Sequence, residues 1–309
     1  MLDPQDIYEV HVEAVERTLG QSGDAAASGP VLVHALRGFV DAGSAGELAV
    51  EHLLERFEPT RLVTFDADAL VDYRSRRPPM TFDADRWSHY EAPSLVVDHL
   101  RDAEGSGFLL LHGDEPDLQW ERVVAAVRAV VERLGVSLTV GLHGIPMGVP
   151  HTRPASLTAH GTRDGLVEDY TSFFGTVQVP GSLAALLEYR LGQTEHDAMG
   201  VTVHVPHYLA QSRYAPAAVV ALEHLEKATG LGLQVEALTE AAAQARVEVA
   251  ELVAENEEVA AVVRRLEEQY DAFSRSVGRT NLLADDTSLP TAEELGAEFE
   301  RFLAQRDDE

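Results

Sequence analysis

The sequence predicts an α/β protein with three layers, in which helices cover both faces of a mixed sheet and a long helical extension follows at the C-terminus. Short apolar runs bounded by glycine recur along the first two thirds of the chain, and helical patterns follow most of them. Such alternation of strands and helices is typical of a sheet that is covered on both faces. The hydrophobic share of 45% over 309 residues supplies enough apolar surface for such a core.

Five segments have the composition of buried strands, and a sixth forms a hairpin with one of them. The five cover residues 31–36, 61–65, 108–111, 138–142 and 201–205. Residues 95–100 are joined to the strand at 108 by a turn-rich stretch, which predicts antiparallel pairing of the two. The sheet is therefore predicted to contain both parallel and antiparallel pairs.

The predicted helices have recognisable start and stop signals. Ser44 and Glu47 have the spacing of a capping box, in which the two side chains accept hydrogen bonds from free backbone N–H groups of the first turn. Asp117 is placed to cap a helix that Gly135 ends. Further amphipathic helices are predicted over 182–191 and 215–228, and a surface loop over 21–30.

The strongest periodicity lies late in the chain, where apolar residues recur with a seven-residue spacing. The central positions of this seam are Leu252, Asn256, Val259, Val263 and Leu266. Asn256 is its single polar residue, of the kind that sets register or partner number. The pattern fits a coiled coil between chains, which would make the protein a homo-oligomer, and it equally fits a helix folded back onto the chain's own body.

Three regions follow from these patterns. An α/β/α domain is predicted over 1–232, a long amphipathic helix over 233–277, and an acidic, partly flexible tail with a short helix over 278–309.

Composition excludes several classes of function. A protein with a formal net charge of -28 is repelled by nucleic acid and by anionic membrane surfaces, because binding to either requires clustered basic residues on the protein. The absence of cysteine excludes disulfides, thiolate catalysis and Cys-ligated zinc. No stretch approaches the roughly 18 apolar residues of a membrane span, and the N-terminus lacks the features of a signal peptide. We therefore expect a cytoplasmic protein.

Polar side chains follow several predicted strands, at the edge where open α/β sheets bind ligands. A loop rich in proline and glycine presents His151, Thr152 and Arg153 together. The candidate pocket comprises Arg37, Asp41, Glu115, His151, Thr152, Arg153, His204 and His207. No His-Glu-x-x-His, Gly-x-Ser-x-Gly or Walker motif accompanies them, so we assign no catalytic residue, metal ligand or cofactor. Ordinary packing of a long crossover is the competing interpretation.

Four segments, at 38–43, 113–121, 149–154 and 203–209, together resemble the proteasome assembly chaperone family, specifically its uncharacterised actinobacterial branch. The resemblance covers about residues 30 to 240. It implies an α/β/α body similar to nucleoside phosphorylases and peptidyl-type hydrolases, assembly into homo-oligomers, and a protein client rather than a reaction. Some members of the family dock through a C-terminal hydrophobic-Tyr-any tripeptide, which the final Arg-Asp-Asp-Glu of this chain does not match.

Two hypotheses about function remain. The first is a noncatalytic assembly or interaction protein, supported by the seam, the resemblance and the lack of a catalytic motif. The alternative is an enzyme or small-ligand-binding protein of the phosphorylase/hydrolase-like class, with a pocket at the carboxyl ends of the strands.

Overall fold

The computed structural model describes residues 3–19, 29–38, 40–170 and 175–280. The predicted loop over 21–30 lies outside these ranges except for its last two residues. The predicted acidic tail and its short helix lie outside them beyond residue 280.

An eight-stranded mixed sheet forms the middle layer. Its spatial order is β1 (Tyr8–Val10), β3 (Thr60–Phe65), β6 (Leu95–Arg101), β7 (Gly107–Asp114), β2 (Val31–Arg37), β8 (Leu138–Met147), β10 (Ala198–Pro206) and β9 (Leu157–Gly161). The four strands β7, β2, β8 and β10 run parallel to one another, and the remaining neighbours pair antiparallel. The mixed sheet and the β6–β7 hairpin are thus confirmed, and they place the carboxyl ends of β8 and β10 side by side.

The sequence did not predict four of the strands. These are β1, β9 and a separate hairpin of β4 (Met80–Asp83) and β5 (Arg86–Tyr90). β1 has only three residues, which is too short for an alternating pattern to be visible. Every residue of the hairpin is exposed, so no buried face produces the usual apolar signal.

Helices cover both faces of the sheet, which confirms the three-layer architecture. Helices α2 (Ala45–Arg56) and α6 (Ala215–Thr229) pack on one face, against side chains such as Val33 and Val201. Helices α1 (Val12–Leu19), α4 (Trp120–Leu134) and α5 (Leu183–Gly192) pack on the other, against Leu32 and Leu109. Neighbouring residues of β2 face opposite cores because side chains alternate along a strand. A short helix, α3 (Ala67–Leu70), follows β3.

The start of α2 differs from the predicted capping box. Ser44 has a left-handed backbone conformation, with φ of 51°, and its side chain makes no cap hydrogen bond. The Asp41 carboxylate takes that role, since its oxygens accept hydrogen bonds from the backbone N–H groups of Gly46 and Glu47, each at 3.0 Å. It also accepts one from Gly144 in β8, at 2.9 Å. The prediction that Ser44 caps α2 is therefore wrong.

The predicted cap of α4 is also wrong, although the helix itself is confirmed. Residue Gln119 precedes the helix in a left-handed conformation without a side-chain cap. Asp117 accepts hydrogen bonds from the backbone N–H of Asp72, at 2.8 Å, and from the Arg76 guanidinium instead. Gly135 ends the helix in a left-handed conformation, as predicted.

The stretch predicted as one helix over 233–277 contains two helices, α7 (Glu236–Glu255) and α8 (Glu257–Thr280). Asn256 between them is extended, with φ of -125° and ψ of 107°. Its side-chain oxygen accepts hydrogen bonds from the backbone N–H groups of Glu258, at 3.0 Å, and Val259, at 3.2 Å. Asn256 therefore caps α8 and interrupts the predicted helix, as short polar side chains do when they bond to nearby backbone.

The two C-terminal helices fold back onto the body of the same chain. Val249 of α7 joins the core that α2 and α6 share, and Val263 and Leu266 of α8 are buried. Leu252, another predicted seam residue, is 65% exposed. Of the two interpretations of the seam, the folded-back helix describes this arrangement. None of the helices in the described ranges combines the length and apolar character needed to cross a lipid bilayer.

Candidate functional site

A cavity of about 490 Å³ opens at the carboxyl ends of β8 and β10. One wall is the loop over 149–155, which follows β8, and the opposite wall is formed by α6 and α7. Four of the eight candidate residues line it, namely His151, Thr152, Arg153 and His204. The loop brings the first three together because they are contiguous, and β10 adds the fourth.

His204 lies on β10 and is 5% exposed. Its two ring nitrogens are hydrogen-bonded to hydroxyl groups, Nδ1 to Ser156 Oγ at 2.9 Å and Nε2 to Thr158 Oγ1 at 2.8 Å. Burial lowers the pKa of His204 to about 4, because an imidazolium loses its hydration there. The ring is therefore neutral at physiological pH and contributes no positive charge to the cavity.

His151 is held by Tyr208. The Tyr208 hydroxyl oxygen accepts a hydrogen bond from the His151 backbone N–H, at 2.9 Å, and lies 2.7 Å from His151 Nδ1. Burial raises the pKa of Tyr208 to about 12, so the hydroxyl keeps its proton and can donate it to Nδ1. Burial also lowers the pKa of His151, against a smaller opposing effect of Glu267. The imidazole is therefore fixed in position and neutral at physiological pH.

Arg153 connects the loop to α8. Its guanidinium binds the Asp271 carboxylate through two parallel hydrogen bonds of 2.8 Å, and Glu267 lies 3.3 Å away. Thr152 donates a hydrogen bond to Glu267, and the Tyr270 hydroxyl donates one to the Pro154 carbonyl, at 3.2 Å. These paired carboxylates raise the pKa of Arg153. The loop and α8 are thereby clamped together, and the charge of Arg153 is compensated.

Two residues of the cavity come from α7 and were not among the candidates predicted from the sequence. Arg246 and Ala250 form part of its wall, and Arg246 lies close enough to Tyr214 to oppose the effect of burial, which raises the pKa of Tyr214. Tyr214 is itself buried at the start of α6. Nothing in the local pattern distinguishes a single arginine on a polar helical face from an ordinary solvated one. Its role depends on where α7 lies, which the sequence does not reveal.

Three of the remaining candidates lie elsewhere. Asp41 caps α2, as described above. Glu115 accepts a hydrogen bond from the Leu183 backbone N–H at the start of α5, at 2.7 Å, and burial raises its pKa. Arg37 lies near Asp114 and Glu91, at 3.4 and 3.7 Å, beside a second cavity of about 360 Å³. The structure therefore does not bring these three into the first cavity.

His207 follows β10 and contacts the Tyr208 ring, with the two ring centroids 5.4 Å apart. Burial lowers its pKa, while a hydrogen bond to the Met147 backbone opposes that effect. It is not among the residues that line the cavity.

A row of buried and half-buried histidines crosses the sheet on the face that α5 covers. The Thr202 hydroxyl lies 3.3 Å from both His143 Nε2 and His160 Nε2, and His160 Nδ1 is 2.9 Å from Glu188 on α5. Burial lowers the pKa of His34 and of His143 to about 4, and neighbouring histidines lower them further. Within the described ranges, no three His, Asp or Glu side chains are grouped so as to hold a metal ion. His34 and His143 are therefore neutral at physiological pH, and the row forms a polar network on this face of the sheet.

A sequence model of the PAC2 family matches residues 35–253, a stretch that contains most of the sheet and all of the cavity wall. The chain belongs to the PAC2 family. The resemblance to proteasome assembly chaperones, and to their actinobacterial members, is thus confirmed. No curated protein matches the chain significantly.

Solved structures of three actinobacterial proteins are similar to this one. A Mycobacterium tuberculosis protein of unknown function, Rv2714, is 46% identical, with 89% of this chain and 92% of that chain covered and a TM-score of 0.84. A Corynebacterium glutamicum protein of unknown function is 36% identical, with 86% and 97% covered and a TM-score of 0.80. The M. tuberculosis proteasome-assembly chaperone homologue Rv2125 is 24% identical, with 75% and 99% covered and a TM-score of 0.69, and shares the fold.

Proposed function

We propose that the protein is a noncatalytic assembly or interaction protein of the PAC2 family, which acts in the cytoplasm as a homo-oligomer and binds a protein client. The observation that carries this proposal is the exposed aromatic surface of the β4–β5 hairpin. Membership of a family with proteasome-assembly chaperone homologues supports it. The side chains of this hairpin are not buried against the rest of their own chain. We therefore expect them to contact other chains.

The hairpin presents large apolar side chains to solvent. Phe82 is 56% and Trp87 is 64% exposed, and their rings meet edge to face with centroids 5.1 Å apart. Met80 and Tyr90, the first pair of the hairpin, are about half exposed as well. Aromatic residues grouped on a surface are typical of protein interfaces, where they supply most of the binding energy. An isolated two-stranded hairpin is also marginally stable in water, so a partner would stabilise it.

The chemistry of the cavity argues against catalysis. Ser156 and His204 form a pair at 2.9 Å, the distance at which a histidine can activate a serine. However, Thr158 rather than a carboxylate holds the other ring nitrogen, and burial holds the pKa of His204 near 4. Such an imidazole is a weak base at neutral pH. The pair is better suited to fixing β9 against β10.

Site-specific photocrosslinking in cells tests the proposal. A photoreactive phenylalanine analogue placed at Trp87 is expected to form crosslinks to peptides of a second copy and of a client protein, identified by mass spectrometry. The matched control is the same analogue at Tyr189, which is 61% exposed on α5. The double variant Phe82→Ser with Trp87→Ser should lower the native mass of the complex, whereas Tyr189→Ser should not. Equal crosslinking from positions 87 and 189, with a monomeric native mass, would refute the proposal.

A further inference from the structure

We propose that the cavity at the carboxyl ends of β8 and β10 binds a small organic acid, with the acidic group held by Arg246 and Tyr214 and an apolar body packed against Pro150, Val203 and Pro216. This binding site is independent of the proposed interaction function, because the hairpin contributes nothing to it. Three features of the cavity support this proposal: the charge of its lining, an arginine that no carboxylate of the described residues pairs with, and the composition of its walls.

The charge of the lining is opposite to that of the protein as a whole. Of the 309 residues, 52 are Asp or Glu and 24 are Lys or Arg, which gives the net charge of -28. Among the residues that line the cavity, the structure places Arg153 and Arg246 but neither Asp nor Glu. Asp271 and Glu267, which are not lining residues, compensate Arg153, so the uncompensated charge of the lining is that of Arg246. A concave surface with one sign of charge concentrates ligands of the opposite sign. In so acidic a chain, a cavity lined without carboxylates favours an anion.

The contacts of each cationic group indicate which one remains for a ligand. Arg153 is bound to Asp271 by two hydrogen bonds of 2.8 Å, so its charge is compensated. The two histidines of the lining are neutral at physiological pH, because burial lowers their pKa values. Within the part of the chain that the structure describes, no carboxylate forms an ion pair with Arg246, which lines the cavity together with Tyr214. A guanidinium beside a tyrosine hydroxyl offers several donors to one carboxylate.

The remaining wall is apolar and is held in place by the fold. Pro150, Pro216, Ala217 and Val203 contribute no side-chain donor or acceptor, and Ala250 of α7 leaves space beside Arg246. Proline restricts the backbone of the loop, and the Arg153 clamp fixes that loop to α8. A preformed cavity of about 490 Å³ lies within the size range of sites for small ligands. The cavity walls therefore lose little conformational freedom when a ligand enters.

Two probe molecules with the same apolar body separate charge recognition from simple partitioning. We expect the full-length protein to bind 2-naphthoate, measured by fluorescence anisotropy, more tightly than the neutral 2-naphthamide. Arg246→Gln should weaken the binding of naphthoate by about tenfold, the effect of losing one hydrogen bond to a charged group, and should leave naphthamide unchanged. Arg264→Gln is the matched control, because Arg264 is an exposed arginine of α8 outside the cavity.

A second pair of variants locates the bound probe. Ala250→Phe should fill the cavity and abolish the binding of both probes, whereas Ala243→Phe, at an exposed position of α7 outside the cavity, should leave both unchanged. Thermal unfolding of each variant shows whether it is folded. Equal affinity for naphthoate and naphthamide, equal effects of the two arginine variants, or unaltered binding in folded Ala250→Phe would each overturn the proposal.

Discussion

Replacing Asp41 with alanine tests whether this side chain, rather than Ser44, holds the start of α2. The two carboxylate oxygens of Asp41 accept three backbone hydrogen bonds, two from Gly46 and Glu47 in the first turn of the helix and one from Gly144 in β8. Removal of the carboxylate leaves these N–H groups without their acceptor in a part-buried environment. The side chain therefore joins the helix to the sheet as well as capping it.

The magnitude follows from these contacts. Loss of a helix cap costs about 1 kcal/mol. The N–H group of Gly144 loses a charge-assisted bond at the same time, which costs about 2 kcal/mol when the donor is left unsatisfied. We expect Asp41→Ala to lower the free energy of unfolding by about 3 kcal/mol, which for a chain of this length lowers Tm by roughly 6 °C. Asp41→Asn keeps one acceptor oxygen, so its loss should be smaller.

Urea unfolding followed by circular dichroism measures these differences, and Ser44→Gly is the matched control. Ser44 has φ of 51° and no cap hydrogen bond, so glycine should relieve backbone strain and leave stability unchanged or slightly raised. A capping box would predict the opposite order, with a clear loss at Ser44. A larger loss of stability in Ser44→Gly than in Asp41→Ala would show that Asp41 is not the cap of α2.

Two further predictions concern the break in the C-terminal helices and the buried histidines. Asn256→Leu removes the cap of α8, so the free energy of unfolding should fall by about 1 kcal/mol. The molecular mass measured by light scattering should stay the same. A changed subunit number would instead support an intermolecular seam. The folded-state pKa values of His34 and His204 are about 4, below the unfolded value of about 6.5. Between these two values the unfolded chain binds the protons and the folded chain does not. The contribution of the two histidines to the free energy of unfolding is therefore complete above pH 6.5 and is lost as pH falls from 6.5 towards 4. Each site should cost on the order of 2–3 kcal/mol by pH 4, and His204→Gln should flatten the pH dependence of the urea midpoint; an equally steep dependence in that variant would contradict this assignment.

The sequence predicted those parts of the fold in which burial leaves a local pattern. The five apolar strands and the helices α4, α5 and α6 are such cases, because each buries a continuous run or one helical face. The β4–β5 hairpin leaves no such pattern, since all of its side chains are exposed. Caps are a further exception. Ser44 has the right spacing, but Asp41 accepts the bonds because β8 brings the Gly144 N–H to the same place.

The candidate site was predictable to the extent that its residues are contiguous. His151, Thr152 and Arg153 share one proline-bounded loop, so they reach the cavity together. Arg37 and Glu115 also follow strands, but they follow β2 and β7, and contacts with Asp114 and Leu183 hold them away from the cavity. Arg246 could not be assigned, because its approach to Tyr214 depends on how α7 packs against α6.

The break at Asn256 explains how the cavity acquires its closed side. If α7 and α8 formed one straight helix, Asp271 would lie about 22 Å beyond Asn256 along its axis, since each residue adds about 1.5 Å. A straight helix of that length would carry Asp271 away from the loop that contains Arg153. Because the chain turns at Asn256, α8 returns and Asp271 binds Arg153 through two hydrogen bonds. The same residue that interrupts the predicted heptad seam thus permits the clamp that holds the loop over 149–155, while α7 contributes Arg246 to the cavity wall.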